Sequence, residues 1–178
     1  MAYCPITAGR LLTRCKNQRG GVKNLYFVNY ENFGFVIANQ ILTDLGTLDE
    51  DEVYKYEVKA TTNALTETGT SSEDNGTYLV TQSLAVTLPK LAADLQAQVQ
   101  LICQGRPYVF VEDYNGNIML LGATNGTMTN CTKATGAAGG DLSGYTLTIT
   151  AEEGSLSPFL DSASKTALMT FINPDVVS

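Results

Sequence analysis

Residues 78–88 read YLVTQSLAVTL, and a related stretch upstream, residues 53–66, reads VYKYEVKATTNALT. These two segments decide the fold class. In the first, Val80, Gln82, Leu84, Val86 and Leu88 share one parity. Alternation of this kind puts one set of side chains on a single face of a sheet. The second alternates in places, with Tyr54, Tyr56, Val58 and Ala60 in step. Between them runs ETGTSSEDNGT (67–77), which ends in Asn75-Gly76. Asn-Gly supports the left-handed torsions of a tight turn. The pattern predicts one long antiparallel hairpin over 53–88. Its outer part is rich in Thr, Ser, Asn and Glu and builds no core of its own. It is therefore expected to project and to dock on another subunit through Asn63, Thr66, Glu67, Thr70, Asp74, Asn75 and Thr77.

Working outward, residues 89–104 read as the single helix. Pro89 suits a first helical turn, and Gly105 stops the helix. Leu91, Leu95, Val99 and Ile102 recur at spacings of four, four and three, a stripe suited to packing on a sheet. Upstream, NLYFVNY (24–30) and FGFVIA (33–38) read as strands, and a further strand is expected around 40–43. Residues 49–52, DEDE, read as a solvated acidic turn. Downstream, YVFVED (108–113) and NIMLL (117–121) flank a second Asn-Gly turn. Residues 122–144 are rich in Gly, Thr and Ala, with Gly136, Gly139, Gly140 and Gly144. YTLTITA (145–151) alternates as a strand, 152–165 reads as loop, and TALMTFI (166–172) as a last strand. The expected fold is mainly β with one flanking helix, as a two-sheet sandwich or a strongly curved, barrel-like sheet. Three regions follow: an N-terminal arm (1–23), a β domain (24–153) and a C-terminal extension (154–178).

Composition narrows the function. The chain has 178 residues, enough for one domain with a substantial core. Charged residues are 16% of the chain, against about 25% in typical soluble domains. A sparsely charged, Thr- and Asn-rich surface suits dry contact with neighbours. Net charge is −7, which argues against capture of nucleic acid through its phosphates. Five of the eleven basic residues, Arg10, Arg14, Lys16, Arg19 and Lys23, lie in the first 23 positions. A basic arm on an acidic body points to self-association, with Arg10, Arg14, Lys16 and Arg19 docking on acid such as that of residues 49–52. The N-terminal residues do not read as a signal peptide, and no apolar window is long enough for a membrane span. Synthesis in a cytoplasm is expected.

The residues offer little chemistry. There is no histidine, so no Ser-His-Asp or Cys-His arrangement exists. Cys4, Cys15, Cys103 and Cys131 form no CxxC pair, and a reducing compartment disfavours disulfides. Cys103 is expected to be a small core residue of the helix. The DEDE run lacks calcium-loop spacing, and Glu152-Glu153 would point to opposite faces of a strand. No cofactor, no metal and no catalysis is expected.

The order of elements resembles the tail tube (major tail) proteins of tailed phages, particularly a group from phages and prophages of Bacteroidetes-type hosts. The resemblance is carried by GGVK (20–23) leading into LYFVNY, by TQSLAVTLPKL (81–91), by VFVEDYNGNIMLLG (109–122) and by GDLSGYTLTITAEE (140–153). It spans about residues 18–153. It implies a β-sandwich with a flanking helix, forming six-membered rings that stack into a tube in the virion. DNA passes through the lumen without specific binding, and a long hairpin and the chain termini bridge successive rings. Other phage tail or connector proteins are the further partners it implies, and no membrane is involved. A ring of six such chains would carry about −42 before counterions, which suits a lumen that must not retain DNA. The same family pattern serves tail terminators, connector rings and secretion or contractile-injection tubes. A capsid decoration protein is a separate structural reading. A secreted surface-binding β-module is disfavoured by the absence of a signal peptide and of tryptophan.

Overall fold

The computed structural model describes residues 6–12, 15–59 and 62–175. Cys4, Arg14 and Ala60 lie outside the described residues. The chain is mainly β. Eleven strands form two sheets, and two helices accompany them among the described residues.

The centre of the first sheet is the pair β1 (Val22–Val28) and β7 (Tyr108–Asp113), antiparallel, with Tyr26 opposite Phe110 and Phe27 opposite Val109. Both strands are almost continuously apolar because both of their faces are buried. Leu25, Phe27, Val109 and Val111 point into one core, and Tyr26, Val28, Tyr108 and Phe110 into another. The outer edge beyond β1 is β4 (Val53–Glu57), with Tyr56 edge-on to the Phe27 ring at 5.0 Å. On the other side follow β8 (Ile118–Leu121), β11 (Phe159–Leu160), β3 (Ile41–Asp44) and β2 (Val36–Ala38). The β3–β11 pair runs parallel, and the other strand pairs in both sheets run antiparallel.

The second sheet has the order β5 (Ala64–Ser72), β6 (Thr77–Pro89), β10 (Gly144–Glu153), β9 (Met128–Ala134). The alternation of residues 78–88 places Val80, Gln82, Leu84, Val86 and Leu88 inside. Leu84, Val86, Leu88, Leu147 and Ile149 meet Leu25, Phe27, Val109 and Val111 of the first sheet in one apolar layer, closed at the side by Val99 and Ile102 of helix α1 (Ala93–Gln104). Gly144 lets β10 reach β6 at its end: a Cβ there would lie 2.2 Å from the Leu88 carbonyl oxygen. Each sheet keeps two outer strands, so neither closes into a barrel.

The structure revises several expectations. The hairpin does not run from 53 to 88. β4 pairs with β1 in the first sheet, and the chain then crosses to the second sheet, where β5 and β6 form the hairpin. Tyr54, Tyr56 and Val58 therefore follow another sheet's periodicity than Leu65 does. Pro89 ends β6 opposite Gly144 instead of opening a helix, and Leu91 precedes α1. Pairing with β10 captures Pro89, because a strand end loses nothing from a missing N–H. Val22 and Lys23, assigned to the arm, belong to β1. Residues 128–134 form β9, an outer strand with one partner and a mostly exposed surface, which leaves no alternation to read.

The largest revision concerns the C-terminus. TALMTFI is not a strand, and the described residues hold two helices, not one. Residues Ser162–Thr170 form α2, whose N-cap Asp161 accepts a hydrogen bond from the Ser164 amide at 2.7 Å. Ala163, Lys165, Ala167, Leu168 and Met169 are good helix formers. Leu168 and Leu160 are buried with Tyr26, Phe110 and Leu120 in the second core. Residues 154–175 are thus a layer of the domain and not an appendage to it. Leu168→Ala is expected to lower stability by about 3 kcal/mol in urea unfolding, the cost of lost transfer energy plus a cavity. A change near zero would return this segment to the status of an appendage.

Candidate assembly surfaces

Three features leave the body of the fold: the hairpin tip, the N-terminal arm and the free edges of the second sheet. The tip is shorter than the sequence suggests. β10 accompanies β6 only as far as Val80, paired with Glu153. Beyond that rung, Thr70–Ser72 and Thr77–Leu79 have only each other, joined by a turn at residues 73–76 with Gly76 at φ 60°. Gly69 lies under the Tyr78 ring, whose hydroxyl would be 2.4 Å from a Cβ at that position. The aromatic ring covers the glycine gap and stiffens the projecting ribbon. Tyr78 and Leu79 remain 52% and 43% exposed.

The seven residues expected to contact a neighbour divide accordingly. Thr70, Asp74, Asn75 and Thr77 lie at the exposed tip, and Thr66 is exposed on β5 within the sheet. Asn63 does not belong with them. It is buried, its amide donates to the Lys59 carbonyl, and its Oδ1 accepts the Thr87 amide at 2.7 Å, so it latches the crossover between sheets. Glu67 is half-buried and accepts the Ser157 amide at 3.1 Å. Tyr78 and Leu79 were missed because they open the alternating run and look like its continuation into the sheet. Along the helix stripe, Val99 and Ile102 are buried, while Leu91 and Leu95 pack against the same core from its margin.

In the N-terminal arm Ile6, Leu11 and Leu12 are almost fully exposed, and Arg10 and Lys16 are exposed. Its root is tied to its own chain. The Arg19 guanidinium stacks over the Tyr114 ring, 4.0 Å from its centre. The Arg19 amide donates to Asn115 Oδ1, and its carbonyl accepts from Asn115 Nδ2, each at 2.9 Å. Arg19 therefore sits on the β7–β8 turn and not on acid at residues 49–52. That acidic turn is closed on itself, with the Asp49 amide donating to Glu52 Oε2 at 2.8 Å. The turn under Arg19 is also firm: Asp113 Oδ1 accepts the amides of Asn115 and Asn117, both at 2.8 Å. Burial raises the Asp113 carboxyl, but these bonds and those from the two Asn side chains bring it below its ordinary value.

Just inside the arm root lies a buried polar cluster that sequence reading missed. Glu112 accepts from Asn24 Nδ2 and from the Tyr26 hydroxyl, each at 2.6 Å, and from Lys23 Nζ at 3.0 Å. The register that places Asn24 opposite Glu112 brings these groups together across β1 and β7. Burial pushes the Glu112 carboxyl up. The hydrogen bonds from Tyr26, Asn24 and Lys23, with the Lys23 charge, outweigh it and hold the carboxyl below the usual range. Tyr26 is pushed well up, first by burial and then by its bond to Glu112. These groups are mutually satisfied and anchor the strand from which the arm departs.

The second sheet presents an open backbone edge on β5 and another on β9. Among the described residues, no three of His, Cys, Asp or Glu gather to hold a metal, and no helix is long and apolar enough to cross a membrane. No protein-family model, curated protein or solved structure matches the chain.

Glu112→Gln is expected to cost about 2 kcal/mol at neutral pH, because two buried donors lose a charged acceptor. The wild-type group is depressed in the folded state against about 4.3 unfolded. Its contribution is complete above the unfolded value and is lost as pH falls through the folded one. The stability gap between wild type and Glu112→Gln should therefore narrow in acid. Urea midpoints at a series of pH values would read this, and a gap constant with pH would remove the charge from the explanation.

Proposed function

We propose that this chain is a virion structural protein, the subunit of a phage-type tail tube. In this reading it is a sandwich of two sheets that forms hexameric rings, stacked around a lumen that conducts DNA. The observation that carries the reading is the pair of open edges, β5 and β9, on opposite sides of one sheet. Two different edges on one subunit favour a head-to-tail contact, which closes into a ring when the rotation per subunit allows it. Joining them would also remove edges that otherwise invite uncontrolled pairing.

Other features support the same reading. The hairpin tip projects past its sheet and carries two exposed apolar side chains, Tyr78 and Leu79, beside Thr70, Asp74, Asn75 and Thr77. The arm holds Ile6, Leu11 and Leu12 in solvent, an arrangement that a neighbouring subunit would relieve. Arg10 lies within this stretch and Lys16 follows it, both exposed and open to an acidic partner surface. With a net charge of −7 per chain, such an assembly does not capture the phosphates of DNA passing through it.

Negative-stain microscopy with sizing at several concentrations is expected to show hollow tubes. Isolated rings would move the assignment to a tail terminator or connector, and monomers at every concentration would overturn self-assembly of the lone chain. The double variant Tyr78→Ala/Leu79→Ser is expected to leave the melting temperature nearly unchanged. It should raise the concentration needed for tube growth about tenfold or more, the effect of losing at least 1.4 kcal/mol of contact. Unaltered growth would exclude the tip from the contact between rings.

A further inference from the structure

Helix α1 and strand β9 come from distant parts of the chain and lie against each other. Gln96 Oε1 accepts from Lys133 Nζ at 2.6 Å. The register of β9 with β10 puts Lys133 opposite Tyr145 and Cys131 opposite Leu147. Tyr145 and Leu147 are core residues, and directly opposed residues share a face, so Lys133 and Cys131 face the side that α1 covers. On the helix, Cys103 is seven residues beyond Gln96, two turns further along the same stripe. One hydrogen-bonded rung thus aligns helix and strand, and the next rung carries a cysteine from each. Cys103 is half-buried against the core, Cys131 is exposed, and both are free thiols. Burial, followed by the neighbouring Cys131 thiol, pushes the Cys103 thiol up to about 12.

We propose that Cys103 and Cys131 are a covalent modification site, a thiol pair that a small-molecule disulfide oxidises to a bond clamping α1 to the edge strand β9. The exposed Cys131 thiol loses its proton, and its sulfur attacks one sulfur of oxidised glutathione. The reagent's S–S bond breaks, and one glutathione leaves as the thiolate. Cys103 then loses its proton and attacks Cys131 Sγ, expelling the second glutathione. Two protein thiols become one disulfide, one glutathione disulfide becomes two thiols, and the two protons end on those thiols. The bond closes a long loop, which constrains the unfolded chain more than the folded one. The clamp requires no self-assembly and acts within one chain. Cys103 packs against the core, as a small residue of the helix should, and the clamp gives its thiol a second role.

The test uses the full chain with Cys4→Ser and Cys15→Ser, incubated with oxidised glutathione. The expected product is a monomer lighter by two hydrogens, with a Cys103–Cys131 peptide after digestion. Its melting temperature should rise by roughly 6–12 °C and return on treatment with dithiothreitol. In the same background Cys103→Ser should stop at a glutathione adduct on Cys131. A lasting adduct on Cys131 with Cys103 still open to alkylation would overturn the proposal. So would a disulfide-linked dimer, or a closed bond without any gain in melting temperature.

Discussion

Strands β1 and β7 have no solvent face. Each successive residue from Asn24 to Val28 is buried, and so is each from Tyr108 to Glu112. A strand pair of this kind needs a cover on both sides, and most of the remaining chain supplies one. The second sheet and α1 cover one face. The segment around Phe33, Leu42, Leu45 and Leu48 covers the other, together with Leu160 and Leu168. This explains why residues near both ends of the chain meet in the second core. It also explains why the crossover after β4 is fastened by Asn63: the chain must leave the doubly covered sheet to build its cover.

The two covers differ in what they leave open. The layer holding α2 seals its side with short strands and helical turns. The second sheet is broad and regular, and its outer strands β5 and β9 have no further strand partner among the described residues. Its longest strand, β6, overshoots its neighbour β10, and the overshoot is the projecting tip. The features offered for assembly are thus consequences of one geometric fact. A sheet sized to cover β1 and β7 extends past them.

The polar clusters stabilise the places where the chain changes direction. Glu112 with Lys23, Asn24 and Tyr26 holds the start of β1, where the arm leaves. Asp113 holds the turn on which Arg19 rests. Gln82 and Glu153, both buried, accept the amides of Gly122 and Thr124 and so tie the loop after β8 to the second sheet. Each of these carboxylates or amides is engaged by backbone or side-chain donors.

Local pattern alone determined the elements whose partners repeat its period. Residues 78–88 and 145–151 alternate because one face of the second sheet is buried. Asn115-Gly116 turns wherever it is placed, and Val99 and Ile102 keep the helical period toward the core. The mainly β class and an exposed, core-less hairpin tip were legible for that reason. Which strand pairs with which was not. Tyr54 and Tyr56 alternate as readily against β1 as against β6, and the pairing with the free edge of β1 is set by the tertiary structure. TALMTFI suits strand or helix by composition, and the Asp161 cap with the cavity that receives Leu168 selects helix. The burial of Asn63 and the meeting of Glu112 with Lys23, or of Cys103 with Cys131, depend on register between segments far apart in sequence. Side-chain periodicity reports the face a residue takes within its own element, whereas its neighbour across the fold is chosen by packing.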